Sequence, residues 1–332
     1  MFKKETVFIV GAGASSECGL PTGNQLKSTI AGGVRFRFEA GEGDPALLDI
    51  VRTRHSGFDT QAGFELASTI STFPSIDEAL HWWKARQEIV ELGKIAIAYY
   101  ILDAERRSIL ARKHGVINLA TASGTWLSSF VSMALSALER DEADKAFEQV
   151  TIINFNYDRT IEHYLYWALQ QLAAVPPDKA AECVARLKII RPYGSIGKLE
   201  WQGQAGVSFG GNNHLQEASA VIANIRTFTE QIREPDLLSS IGGALDTASL
   251  VIFLGFGFHQ QNMELLKPLI PNTNRPRVGM VIATSKGIDE KNNTAIQFRF
   301  EQLGLGGRHM LVQCTAAELM DQLRPTISMA VA

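Results

Sequence analysis

Short apolar runs, rich in β-branched residues, recur at wide intervals along the chain, and each ends in glycine or in a polar cluster. Thr6-Val7-Phe8-Ile9-Val10 leads into Gly11, Val150-Thr151-Ile152-Ile153-Asn154 into further polar residues, and Leu250-Val251-Ile252-Phe253-Leu254 into Gly255. A run apolar on both faces suits a strand buried inside a parallel sheet. Lys188-Ile189-Ile190, Val278 to Ala283 and His309 to Gln313 predict three more strands.

The intervening pattern is helical. Ile89, Val90, Leu92, Ile95, Ala96, Tyr99, Tyr100 and Leu102 recur near the helix period, as do Trp126, Leu127, Phe130, Val131, Met133 and Ala134. Helices are also predicted over Gln25 to Ile30, Arg159 to Leu172 and residues 217–247. Residues 31–75, rich in glycine and charge, predict loops with short helices, and Trp201 to Gly211 a hairpin or loop. Strand-like runs are missing from 33–148. The organisation expected is therefore a discontinuous α/β domain over 1–32 and 149–332, interrupted by an all-helical insert over 33–148.

Strands alternating with helices predict a parallel sheet with helices on both faces. Ligands of such sheets bind beyond the C-terminal strand ends, where the strand order reverses. Four polar or glycine-rich segments fall there: Gly11–Ser15, Asn154–Asp158, Tyr193–Ser195 and Gly255–Asn262.

Bulk properties narrow the classes. A chain of 332 residues is long for one core, which agrees with an insert or a second domain. A net charge of -3 supplies no general attraction for nucleic acid or anionic membrane. No apolar run has membrane-spanning length and the N-terminus lacks a signal-peptide pattern, so the cytoplasm is the expected compartment. Cys18, Cys183 and Cys314 lie far apart without a Cys-x-x-Cys pair, which excludes a four-cysteine zinc module; no metal is expected. Cys18 reads as a small buried filler ahead of a reactive thiol.

Each polar segment carries a chemical reading beside a structural one. Glycine in Gly11-Ala12-Gly13-Ala14-Ser15 permits a tight turn and close approach of a pyrophosphate, which helix-end amides and the Ser15 hydroxyl would face. The alternative is a tight structural turn. Gly19-Leu20-Pro21-Thr22-Gly23 follows. In Asn154-Phe155-Asn156-Tyr157-Asp158, Asn156 is a candidate for a ribose hydroxyl or a water, and Asp158 for a carboxamide or a developing cation; Asp158 is equally a candidate helix cap. In Arg191-Pro192-Tyr193-Gly194-Ser195, Tyr193 offers stacking or a hydrogen bond, or core packing. The loop Gly255-Phe256-Gly257-Phe258-His259 offers its backbone to an adenosine, and His259 is an acid–base candidate or simply an exposed side chain. His163 is assigned no role.

Taken in this order, Gly-Ala-Gly-Ala-Ser with Gly-Leu-Pro-x-Gly, Asn-Tyr-Asp, a Gly-Ser turn and a late Gly-x-Gly resemble the sirtuin-like family, in its bacterial branch without a zinc ribbon. Several members of that branch degrade NAD in anti-phage defence. The resemblance covers residues 5–30 and 149–315. It implies a Rossmann-like fold with NAD between sheet and insert. Gly11, Ala12, Gly13, Ser15 and Thr22 would bind the phosphate side, Asn156 and Asp158 the ribose and nicotinamide side. Gly194 and Ser195 would contribute from the third strand end, and Gly255, Gly257 and His259 from the adenosine-side loop. Tyr193 stands where the family has a histidine, and a tyrosine titrating near 10 is a poor general base. Phe155 replaces the glutamine of deacylating sirtuins.

The resemblance thus implies an NAD glycohydrolase, with Asn156, Asp158 and Tyr193 as catalytic candidates, NAD as substrate or ligand, a homo-oligomeric state and a regulatory partner. The alternative is a sensor that binds NAD or a related nucleotide without cleaving it, which Tyr193 favours. Protein deacylation is disfavoured by the missing zinc ribbon. An ordinary dehydrogenase would require an acidic residue after a second strand; Glu39 and Glu42 have roughly that spacing but follow no strand-like run.

Overall fold

Six strands pair in one parallel sheet in the order β3-β2-β1-β4-β5-β6. They are β1 (Thr6–Val10), β2 (Val150–Asn154), β3 (Lys188–Ile190), β4 (Leu250–Leu254), β5 (Met280–Thr284) and β6 (Arg308–Val312). The computed structural model describes residues 2–136, 138–211, 221–226, 235–267 and 278–331. Every residue of β1, β2 and β4 is buried, which is why these runs are apolar without alternation. The edge strands β3 and β6 are more exposed and carry Lys188 and Arg308 at their starts. The strand order is that of a doubly wound dinucleotide-binding sheet, so the fold is Rossmann-like α/β, with the order reversing between β1 and β4.

Alternate strand residues feed two cores, as the two-residue period of a strand requires. Val7, Ile9, Ile153, Val251, Phe253, Val281 and Ala283 face one layer. That layer holds α2 (Gly23–Gly33), α3 (Pro45–Arg54), α4 (Gln61–Thr72), α5 (Ile76–Trp82) and α6 (Gln87–Arg107). Phe8, Val10, Ile152, Leu250, Ile252, Leu254 and Ile282 face the other. Against them lie α7 (Trp126–Leu135), α8 (Thr160–Ala173) and α9 (Pro177–Arg186). Phe130 of α7 is the hub of this second core: Phe8 meets its ring edge-on at 5.2 Å, and Phe2 and Phe147 stack on it at 5.8 Å each. Although α7 falls within the strand-free stretch 33–148, it packs on a sheet face.

The stretch 31–75, expected as loops with short helices, is more regular than that. Between Gly33 and Phe73 the chain forms α3 and α4, of 10 and 12 residues. Asp44 caps α3, accepting from the amides of Ala46 (3.0 Å) and Leu47 (3.3 Å), and Pro45 occupies its first turn. Burial of Leu47, Leu48, Ile50 and Val51, and of Ala62, Leu66, Ala67 and Ile70, then stabilises both helices despite their polar and glycine-rich surroundings. The segment after Trp201 is a loop. Of the helix expected over 217–247, the structure forms α10 (Pro235–Thr247), while Ile222–Asn224 make only a 3-10 turn and Ile225 bridges to Gly194; residues 217–220 and 227–234 lie outside the described residues. Among the described residues, no helix is long and apolar enough to cross a membrane.

Phe130 is fully buried and touches four other aromatic rings, those of Phe2, Phe8, Trp126 and Phe147, so Phe130→Ala should lower the unfolding free energy by roughly 3–5 kcal/mol. Urea denaturation monitored by circular dichroism measures it.

Candidate functional site

The turns that leave β1, β2 and β4 meet at the point where the strand order reverses. After β1, Gly11 opens a single helical turn, α1 (Ala12–Ser15). After β4, Gly255 turns back with φ of 57° and lies against it. The Gly13 amide donates to the Gly255 carbonyl at 3.0 Å, and the Gly11 amide to that of Leu254 at 2.9 Å. A Cβ on Gly11 would stand 2.6 Å from the Gly255 carbonyl oxygen, and one on Gly255 would stand 2.0 Å from the Ala14 nitrogen. The close approach that glycine permits at this turn is therefore made by a neighbouring backbone. Ala12 and Gly13 keep part of their surface accessible, as does Gly255, whose amide donates to Thr284 Oγ1 at 2.8 Å.

The turn after β2 joins the same place. Asn156 Nδ2 donates to Ser15 Oγ at 2.9 Å, across 141 residues of sequence. Ser15 Oγ lies 3.5 Å from Thr160 Oγ1, which donates to Asp158 Oδ1 at 2.6 Å. Asp158 Oδ1 also accepts from the Thr160 amide at 3.1 Å; the N-cap position of α8 is Arg159, so Asp158 makes a turn just before the helix rather than capping it. Ser15, Asn156 and Asp158 are all buried.

Two arginines hold that turn. Arg191 makes a bidentate pair with Glu162, both contacts at 2.7 Å, and donates through Nη1 to the carbonyls of Asn156 (2.9 Å) and Asp158 (3.1 Å). Arg159 and Glu105 form an ion pair with no more than 1% of either side chain exposed. Arg159 Nη2 donates to Glu105 Oε2 at 2.6 Å and Nε donates to Oε1 at 3.2 Å, while Nη1 and Nη2 also reach the carbonyls of Lys198, Val207 and Ser208. Glu105 takes the amides of Arg159 and Gly210 as well, each at 3.0 Å. Sequence reasoning assigned neither residue a part. Their one signal is a charge inside an apolar helical face, at Glu105, which periodicity alone does not distinguish from a solvated position.

The other expected residues divide. Thr22 caps α2 in a reciprocal box with Gln25, the Thr22 amide donating to Gln25 Oε1 at 2.8 Å. Tyr193 is buried, its hydroxyl donates to Asn262 Oδ1 at 2.7 Å, and its ring contacts Phe155 and Tyr157. Burial first, then the charges of Asp77 and Glu78, push the Tyr193 hydroxyl well above its ordinary range. Gly194 and Ser195 line a separate cleft of about 440 Å³ at the β3 edge with Arg191, Lys198 and Asn224. Gly257 and His259 are exposed, and His259 precedes α11 (Gln260–Leu265) without capping it.

Several groups stand apart from any acid–base role. His163 is buried, stacks on Phe209 at 4.0 Å and faces the Leu110 carbonyl at 3.1 Å; burial lowers its pKa to about 3. Burial pushes the Cys18 thiol far up. A larger cleft, about 730 Å³, lies away from the strand tips between Arg140 and α9. Glu39 sits in a single 3-10 turn and Glu42 bridges to Arg37, and among the described residues no second strand stands between β1 and them. Among the described residues, no three His, Cys, Asp or Glu side chains are grouped to hold a metal.

Fold and strand-tip geometry define an α/β protein of the Rossmann-like class whose first, second and fourth strands end in one polar cluster. Compared with family models and with curated proteins, the sequence matches none.

Because Arg159 and Glu105 are both out of water, Glu105→Gln leaves the guanidinium without a counter-charge. It should lower stability by about 3–5 kcal/mol, read as a shifted denaturant midpoint at unchanged slope.

Proposed function

We propose that this chain is an NAD glycohydrolase, with NAD bound where the turns after β1, β2 and β4 meet. The observation that carries the reading is the Asn156–Ser15 hydrogen bond. It places the candidate ribose group of the second strand end against the candidate phosphate turn of the first, beside the reversal of strand order where such sheets take their ligands. The accessible backbone at Ala12, Gly13 and Gly255 would face the pyrophosphate. Asn156 would orient the ribose and a water, and Asp158 the carboxamide or the developing cation. Scission of the glycosidic bond builds positive charge on the ribose, so the site needs electrostatic support more than a strong nucleophile. A role in anti-phage defence, a homo-oligomeric state and a restraining partner belong to the same proposal.

A second reading, a sensor that binds NAD or a related nucleotide intact, has its own support. The Tyr193 hydroxyl is already committed to Asn262, and its raised pKa withholds a base from that position.

Incubation of the purified protein with NAD, with free nicotinamide as readout, separates the two. The hydrolase reading expects release that falls at least about 100-fold in Asn156→Ala. Binding of NAD by the wild type without release above that variant establishes the sensor.

A further inference from the structure

The N-terminal end of α5 closes over the turn that leaves β2. Ser75 caps this helix, accepting from the Glu78 amide at 3.1 Å, and its hydroxyl donates to Gln261 Oε1 of α11 at 3.4 Å. Lys27 of α2 fastens the preceding chain by donating to the Phe73 carbonyl at 2.6 Å. Two residues into the helix, Asp77 Oδ1 accepts the Tyr157 hydroxyl at 2.5 Å. The Tyr157 ring contacts Tyr193, so Asp77 reaches, from the strand-free part of the chain, the tyrosine pair at the ends of β2 and β3.

Asp77 is crowded by protein yet keeps part of its surface accessible. Burial raises its pKa to about 6 against the lowering by the Tyr157 hydroxyl and its own backbone amide. The titratable groups facing it are Glu78 on its own helix, Tyr157 after β2 and Tyr193 after β3. Among the described residues, none of these is a cation. Lys27 donates to the Phe73 and Pro74 carbonyls, and the charge of Glu78 acts on His259. Of the other candidates, the Tyr193 hydroxyl is committed to Asn262, while Asp158, through Oδ1, takes the Thr160 amide and hydroxyl.

Resting on the hydrolase reading, we propose that Asp77 is the general base of the reaction, delivered to the sheet by α5. The C1′–N bond breaks and its electron pair leaves with nicotinamide. The oxygen of a water forms the new bond to C1′, and the proton that water loses passes to the Asp77 carboxylate. A carboxylate held without a counter-charge destabilises the folded chain. Its folded-state pKa is raised, so the penalty is complete above about pH 6 and fades as acid protonates the group. Asp77→Asn, which keeps an acceptor for Tyr157, should therefore raise the melting temperature at pH 8 and leave it unchanged at pH 4.

The test compares wild type, Asp77→Asn and Tyr157→Phe in nicotinamide release from pH 5 to 9, with NAD binding measured by calorimetry. Wild-type kcat should rise with pH through an inflection near 6. Asp77→Asn should lose that inflection and about 100-fold or more in kcat while still binding NAD. Tyr157→Phe, which keeps the carboxylate, should retain the inflection. Asp77→Asn with wild-type kcat and inflection overturns the assignment, as does a Tyr157→Phe variant that reproduces its full loss, because Asp77 would then only position Tyr157. A wild type that binds NAD and releases nothing overturns the hydrolase reading itself and this role with it.

Discussion

The ion pair between Glu105 and Arg159 sets the terms for the rest of the molecule. Two charges removed from water are tolerated only where every lone pair and every N–H finds a partner. Here the demand is met by drawing three distant pieces of chain together: α6, the turn after β2, and the segment from Lys198 to Gly210. The long helix is thereby locked to the strand tip beside it. Arg191 adds a second clamp on the carbonyls of Asn156 and Asp158, anchored by its own pair with Glu162. The backbone of this turn is thus fixed by the Arg191 guanidinium and by the Glu105 carboxylate, which takes the Arg159 amide.

The turns after β1 and β4 are built differently. They hold each other through backbone contact, with glycine on both sides because neither surface leaves room for a Cβ. The same residues that suit a phosphate-binding turn are therefore also demanded by packing. The two explanations predict the same letters in the sequence, so the glycines alone do not discriminate between them. Beside them the polar side chains of Ser15 and Asn156 meet in a hydrogen bond.

Much of the sheet was legible in the chain itself. The first, second, third and fourth strands stand at the residues where unbroken apolar runs predict them, ending at Val10, Asn154, Ile190 and Leu254. The stretch 31–75 reads only as loops with short helices, without the bounds of α3 and α4, although Asp44 before Pro45 marks a helix start and Ala62, Leu66 and Ile70 repeat every four residues. Glycine and charge around them masked a pattern that burial against α2 and α6 makes stable. Asn156 and Ser15 were legible as strand-end residues. Asp77 was not: a helix start such as Ser75-Ile76-Asp77-Glu78 looks the same whether it faces solvent or covers a strand tip.

What the sequence determined alone is local: where the buried strands run, and that their C-terminal ends turn polar. A parallel strand covered on both faces must be apolar along its whole length, and no neighbour need be known to see it. The partner that each polar end meets was decided only by the tertiary structure. Glu105 and Arg159 are 54 residues apart, and Asp77 and Tyr157 are 80 apart. Such pairs are set by the path of the chain through space and by desolvation, neither of which leaves a period along the sequence.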